Sequence, residues 1–105
     1  MTRPNVGIVG ATGYLGTELL RHLLAHPNVH VTTLASASRA GTLAAPSFPQ
    51  FLGRIPHTFV PMTPEALRGL DVVFLATPSG VARELAPALV AQGNRVIDLS
   101  GDHRL

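Results

Sequence analysis

The 105-residue sequence has no cysteine, and arginine supplies all eight of its basic residues. Without cysteine there are no disulfides, no cysteine-rich metal centre and no thiolate nucleophile in this stretch. Charge is scarce at 13% of residues, and the formal net charge is +2. Arginines at 3, 21, 39, 54, 68, 83, 95 and 104 are scattered and form no basic stripe, so no nucleic acid partner is expected. The five histidines, at 22, 26, 30, 57 and 103, show no metal-ligand spacing joined to other ligands. His22 and His26 lie four apart on one helix face and read as exposed, His26 beside a helix C-terminus where a cation is favoured. The first apolar run, Val6 to Val9, is broken by Gly7 and is no secretory signal. Nothing approaches the ~20 apolar residues of a membrane span. A cytoplasmic protein with no membrane partner is the expectation.

Apolar residues make up 46% of the chain, and 10 glycines and 9 prolines punctuate it. That composition suits one domain, residues 1–105, built on a buried sheet. Val6 to Val9 reads as a buried parallel strand. Leu15, Leu19 and Leu23, with Leu20 and Leu24 alongside, then mark one face of a helix that Pro27 stops. His30 to Ala35 reads as a second strand. Prolines at 46, 49, 56 and 61 forbid a long helix or a central strand over residues 40–62. Phe48, Phe51, Ile55 and Phe59 need cover there, so the stretch reads as a packed loop, with a short strand at Thr58 to Val60.

Thr63-Pro64-Glu65 has the chemistry of a helix start, and that brief helix ends at Gly69. Asp71 to Ala76 is a strand. A helix follows Thr77-Pro78-Ser79-Gly80 and runs to about Gln92, with Gly93 as terminator and Pro87 inside at a cost of ~3 kcal/mol or a kink. Arg95 to Leu99 is the last strand. The alternation predicts an α/β, Rossmann-type, doubly wound parallel sheet with right-handed crossovers.

Gly10-Ala11-Thr12-Gly13-Tyr14-Leu15-Gly16 lies between the first strand and the first helix. Gly10 permits the tight turn, Gly13 lets the backbone approach a pyrophosphate, and Gly16 lets the helix pack on the sheet. Helix N–H groups and the positive end of the dipole then meet the phosphates. Gly10, Thr12, Gly13, Tyr14, Leu15 and Gly16 are therefore candidate dinucleotide-binding residues. An NAD site places a carboxylate about 20 residues on, for the ribose hydroxyls. Here no carboxylate follows Glu18 until Glu65, and the second strand ends in Ser36-Ala37-Ser38-Arg39. Ser36, Ser38 and Arg39 suit a 2′-phosphate, which favours NADP; the competing reading is a solvated loop. Thr77 and Pro78 leave the carboxyl end of another strand and face the same crevice, while Ser79 can equally cap the following helix. Asp98 to Leu105 concentrates polar groups at a third strand end and is a candidate active-site edge or a solvated surface.

Three blocks carry a family resemblance. They are Gly7-Ile8-Val9-Gly10-Ala11-Thr12-Gly13-Tyr14-Leu15-Gly16-Thr17-Glu18-Leu19-Leu20-Arg21, then Leu85-Ala86-Pro87, then Val96-Ile97-Asp98-Leu99-Ser100-Gly101-Asp102-His103-Arg104-Leu105. With them the chain resembles the N-terminal part of the N-acetyl-gamma-glutamyl-phosphate reductases of arginine biosynthesis, within the NADP-using semialdehyde dehydrogenase group. Phenylalanine is usual in that family at His103, alanine at Gly101, and histidine often stands at Ser79. The resemblance implies reductive dephosphorylation of an acyl phosphate by a two-domain homo-oligomer. Its cysteine thiolate and assisting histidine belong to a catalytic and dimerisation domain absent from residues 1–105. No catalytic residue and no metal site is therefore expected here, and the stretch alone is expected to be inactive. By position, Arg104 matches an arginine that faces the substrate phosphate. A related reductase of lysine biosynthesis, acting on a carrier-protein-linked aminoadipyl phosphate, fits the same residues. Nucleotide-sugar epimerases share the glycine run but need a Tyr-x-x-x-Lys pair, and this sequence has no lysine. A stand-alone, non-catalytic nucleotide-binding module is the reading from outside the enzymes.

Overall fold

The structure, a computed structural model, describes residues 3–51, 54–77 and 79–99. Pro78, the side chain of Ser79, and the closing residues 100–105 with Arg104 lie outside the described residues.

Four strands form one parallel sheet in the order β2-β1-β3-β4, where β1 is Asn5–Val9, β2 His30–Ala35, β3 Val72–Leu75 and β4 Arg95–Asp98. Helix α1 (Tyr14–Leu24) links β1 to β2, and helix α2 (Ser79–Ala91) links β3 to β4. Adjacent residues of β1 face opposite sides. Ile8 packs with Leu20 of α1, while Val9 packs with Ala82, Leu85 and Leu89 of α2. One helix thus covers each face, which is the doubly wound arrangement the alternation predicts. Val31 and Leu34, three apart, share the α1 face. The register explains this: Val6 pairs with Val31 but Gly7 with Thr33, so β2 carries one extra residue as a bulge.

The helix pattern holds with a shift. Gly16 and Leu20 are the buried residues of α1, Leu19, Leu23 and Leu24 are half-buried, and Leu15 is 44% exposed at the first turn. The apolar face therefore runs one residue past the expected row. The helix ends at Leu24, earlier than expected, because Pro27 pushes His26 out of the helical region. Pro87 sits on the solvent side of α2 without ending it. A carbonyl deprived of its helical donor is readily hydrated there.

Residues 40–62 pack as a loop. Phe48, Phe51, Ile55 and Phe59 are all buried against β2 and α1. Ring centroids of Phe48 lie 5.9 Å from Phe51 and 6.2 Å from Phe59. The strand expected at Thr58 to Val60 is reduced to two isolated bridges, Val60 with Ala35 and Thr58 with Leu43. Val60 stands outside β2, where a third strand would extend the order to the outer edge. Pro56 and Pro61 flank it and limit the ladder. The helix expected from Thr63 is a 3₁₀ turn, Glu65–Leu67. Pro64 stands at its N-cap position, and Thr63 Oγ1, one residue earlier, accepts the Ala66 N–H at 3.3 Å.

Candidate functional site

Four strand ends converge on one edge of the sheet. The Gly10 N–H donates to the Ala35 carbonyl at 3.1 Å, the Ala76 N–H to Val9 at 2.9 Å, and the Leu99 N–H to Leu75 at 2.8 Å. The segments after β1, β2, β3 and β4 are thereby laid side by side. β1 leaves toward α1 and β3 leaves toward α2, so the chain diverges between these neighbours. In open α/β sheets that divergence is the ligand crevice.

The glycine loop fills this crevice with backbone. Gly10 has φ +84°, and a Cβ there would lie 2.9 Å from Thr77 Cγ2 and 3.0 Å from the Ala76 carbonyl oxygen. It must be glycine both for conformation and for the contact between the loops after β1 and β3. A Cβ on Gly16 would sit 2.8 Å from Ala11 Cα and against the Gly10 carbonyl. That packing seats the first turn of α1 on the loop. Gly13 differs: its φ is −73°, and a Cβ would meet only the Gly10 oxygen, at 3.7 Å. Its missing side chain answers no neighbour in the chain and leaves room for a ligand. Gly13 is also the α1 N-cap and makes no side-chain cap. Among the described residues no acceptor meets the N–H groups of Tyr14, Leu15 and Gly16, the first turn of a helix with its positive dipole end. Thr12 is exposed, and Tyr14 is 87% exposed at the mouth of the crevice.

Thr77 is buried, and its Oγ1 meets no hydrogen-bond partner among the described residues. A buried unsatisfied hydroxyl costs about 1–3 kcal/mol, and this one lies against the glycine loop. A ligand with hydrogen-bonding atoms at this edge would answer it. The donor set present, a row of backbone N–H groups and a hydroxyl beside a turn after β2 that carries no carboxylate, fits a phosphate-bearing ligand.

The turn after β2 holds the other expected residues. Ser36 is buried, and its Oγ accepts the Arg39 N–H at 3.3 Å, so this hydroxyl closes the turn. Ser38 and Arg39 are exposed. Arg39 Nη1 lies 3.5 Å from Ser47 Oγ, and its carbonyl accepts from the Thr42 N–H and from Thr42 Oγ1 at 2.7 Å. The Ser36 N–H donates to Val60 and the Gly41 N–H to Phe59. The aromatic loop thus braces the turn that presents Arg39, a role that proline content alone did not reveal.

Sequence reasoning also passed over Asn94. It is buried, and its Nδ2 donates to the carbonyls of Leu67 at 3.1 Å and Leu70 at 2.7 Å, while its Oδ1 accepts from Gln92 Nε2 at 2.8 Å. It ties the end of α2 to the 3₁₀ turn before β3. Among the described residues no group of three or more His, Asp or Glu side chains is placed to hold a metal ion. No helix among them is long and apolar enough to cross a membrane.

Comparison with known proteins bears on this edge. The family described as semialdehyde dehydrogenase, NAD binding domain, matches residues 5–105. An N-acetyl-gamma-glutamyl-phosphate reductase of Neisseria meningitidis is 52% identical over 100 residues, covering 95% of this chain and 29% of the relative. The enzyme of the same name from Acinetobacter baylyi is 50% identical over 101 residues, covering 96% and 29%. The chain thus spans about 29% of the length of these relatives. Among solved structures, aspartate semialdehyde dehydrogenase of Candida albicans with NADP superposes with a TM-score of 0.84 at 23% identity, over 97% of this chain and 31% of that one.

Proposed function

This chain belongs to the semialdehyde dehydrogenase family through its NAD-binding domain, and we propose that it is the NADP-holding part of a two-domain acyl-phosphate reductase. The substrate is N-acetyl-gamma-glutamyl phosphate, reduced to the semialdehyde. The observation that carries the coenzyme half is the juxtaposition at one sheet edge. A helix start with unmet N–H groups, an orphaned buried hydroxyl at Thr77 and an arginine-bearing turn without a carboxylate lie on neighbouring strand ends. The substrate half is supported by the 52% and 50% identity to reductases of that name.

The glycine loop, Gly10 to Gly16, receives the pyrophosphate on its backbone. Thr77 donates its hydroxyl toward the coenzyme, and Pro78 is a further coenzyme-binding residue. Arg39 and Ser38 hold the 2′-phosphate, and Ser36 acts by shaping the turn. A guanidinium pairs with a phosphate through two parallel hydrogen bonds, whereas a carboxylate in its place would repel the phosphate. When bound, the reduced coenzyme supplies hydride. Arg104 binds the phosphate of the substrate, and the nucleophile and proton-transfer groups come from a second domain. The working enzyme is a cytoplasmic homo-oligomer.

The test is NADPH oxidation by the longer protein that carries this domain, with N-acetyl-gamma-glutamyl phosphate as substrate. Turnover that requires NADPH and releases phosphate is expected. Turnover with a different acyl phosphate and none with this one would overturn the substrate assignment.

A further inference from the structure

A second cleft, of about 520 Å³, opens at the opposite edge of the sheet from the glycine loop. It lies between the lead-in to β1, the turn from α1 to β2, and the segment 54–57. Its walls carry Arg3, His26, His30, Arg54 and His57, and no carboxylate lines it. Arg54 donates its backbone N–H to the Phe51 carbonyl at 2.9 Å, and neither the Arg3 nor the Arg54 guanidinium makes a hydrogen bond or ion pair with another described residue. The C-terminus of α1 brings roughly half a negative charge to this wall, less than the two guanidinium charges present.

The histidines add directed hydrogen-bonding groups. His57 Nε2 donates to the Val31 carbonyl at 2.7 Å, which fixes the ring. In the neutral ring this leaves Nδ1 as an acceptor, and Nδ1 is shielded from water with no donor near it. His26 Nδ1 accepts the Asn28 N–H at 3.1 Å, which leaves its Nε2 as an N–H donor. The cleft therefore combines cationic forks, an imidazole donor and one unanswered acceptor. A ligand that satisfies all of these is an anion that also carries an O–H. Inorganic hydrogen phosphate does so in both forms present near neutral pH. Sulfate carries no O–H, and a phosphate monoester, with its second pKa near ~6, has mostly lost it.

We propose that this cleft is a second anion site, separate from the coenzyme loop, and that it takes inorganic hydrogen phosphate between Arg3, Arg54, His26 and His57. The inference stands apart from the coenzyme reading, because its test is located by cleft residues. The experiment titrates the protein with phosphate and with sulfate at constant ionic strength, in the presence of saturating NADP to occupy the first phosphate site. Saturable phosphate binding is expected, with sulfate weaker by at least about fivefold, the loss of one hydrogen bond. Arg54→Gln should weaken phosphate about tenfold, the loss of one charge-assisted bond, and leave NADP affinity unchanged. Arg3→Gln, at another exposed position, should act in the same direction. Phosphate binding that does not saturate, that is equal for sulfate, or that both variants leave unaltered would overturn the proposal. Failure of NADP to bind would count against the coenzyme reading alone, since the two arginine variants still locate phosphate to this cleft.

Discussion

Alanine at Gly16 and alanine at Gly13 should fail in different ways, although the two glycines lie three residues apart in one loop. At Gly16 the new methyl meets only backbone: Ala11 Cα at 2.8 Å and the Gly10 carbonyl nearer still. Backbone cannot rotate aside, so α1 must lift from the loop. Overpacking of this kind costs about 3 kcal/mol at the upper end of its range. The better helix propensity of alanine returns about 1 kcal/mol. The net loss of about 2 kcal/mol is a large share of a domain's stability and corresponds to a fall in Tm of about 8–16 °C. At Gly13 the methyl has ordinary room, 3.7 Å from its one neighbour, and an ordinary φ. Stability should change by no more than about 1 kcal/mol, the difference between glycine and alanine at an N-cap. The methyl instead occupies the approach of the pyrophosphate and should weaken NADP at least about tenfold, the worth of one charge-assisted hydrogen bond. Thermal melts followed by coenzyme titration read both effects. A Gly13→Ala protein that melts as early as Gly16→Ala, or that binds NADP as the parent does, would show that Gly13 is not kept for the pyrophosphate.

Thr77→Val removes the orphaned hydroxyl, so the coenzyme-free protein should gain about 1 kcal/mol while NADP affinity falls; a loss of stability in melts would show that the hydroxyl has a partner. Asn94→Ala strips the buried Leu67 carbonyl and the half-buried Leu70 carbonyl of their donor and should destabilise by about 2–3 kcal/mol, read by chemical denaturation. The Arg21 guanidinium hydrogen-bonds Glu18 at 2.7 Å and holds its carboxyl below the ordinary glutamate range. A depressed folded-state value means that the pair's contribution is present above the ordinary range and is lost as pH falls through the lowered one. Arg21→Ala should return the Glu18 titration, followed by NMR, to its ordinary position.

Much of this edge was legible in the sequence because its constraints are local. Gly10 is fixed by a turn and a positive φ, Gly16 by helix packing, and the strands by short apolar runs between breakers. The Ser36 to Arg39 turn was found through what is missing, the carboxylate expected after β2. Its internal geometry was not legible: Ser36 turns inward to cap Arg39, and Ser47 reaches Arg39 from a loop eight residues on. The bulge in β2 depends on register with β1, which alternation within one strand does not encode. Asn94 draws its role from carbonyls more than 20 residues away, and the His57 ring from Val31, so no spacing rule points to either. The strand expected at Thr58 to Val60 failed for a physical reason that the sequence did contain, Pro56 and Pro61 around it, which leave two isolated bridges in place of a ladder.

Calorimetric titration of this protein with NADP and with NAD reads the coenzyme preference of the turn after β2. Saturable binding of both is expected, with NADP tighter by about tenfold, the worth of one charge-assisted contact to the 2′-phosphate, and with that preference abolished by Arg39→Asp. Equal or tighter binding of NAD by the unaltered protein, or equal loss of both coenzymes in Arg39→Asp, would contradict the assignment of the turn after β2 to the 2′-phosphate.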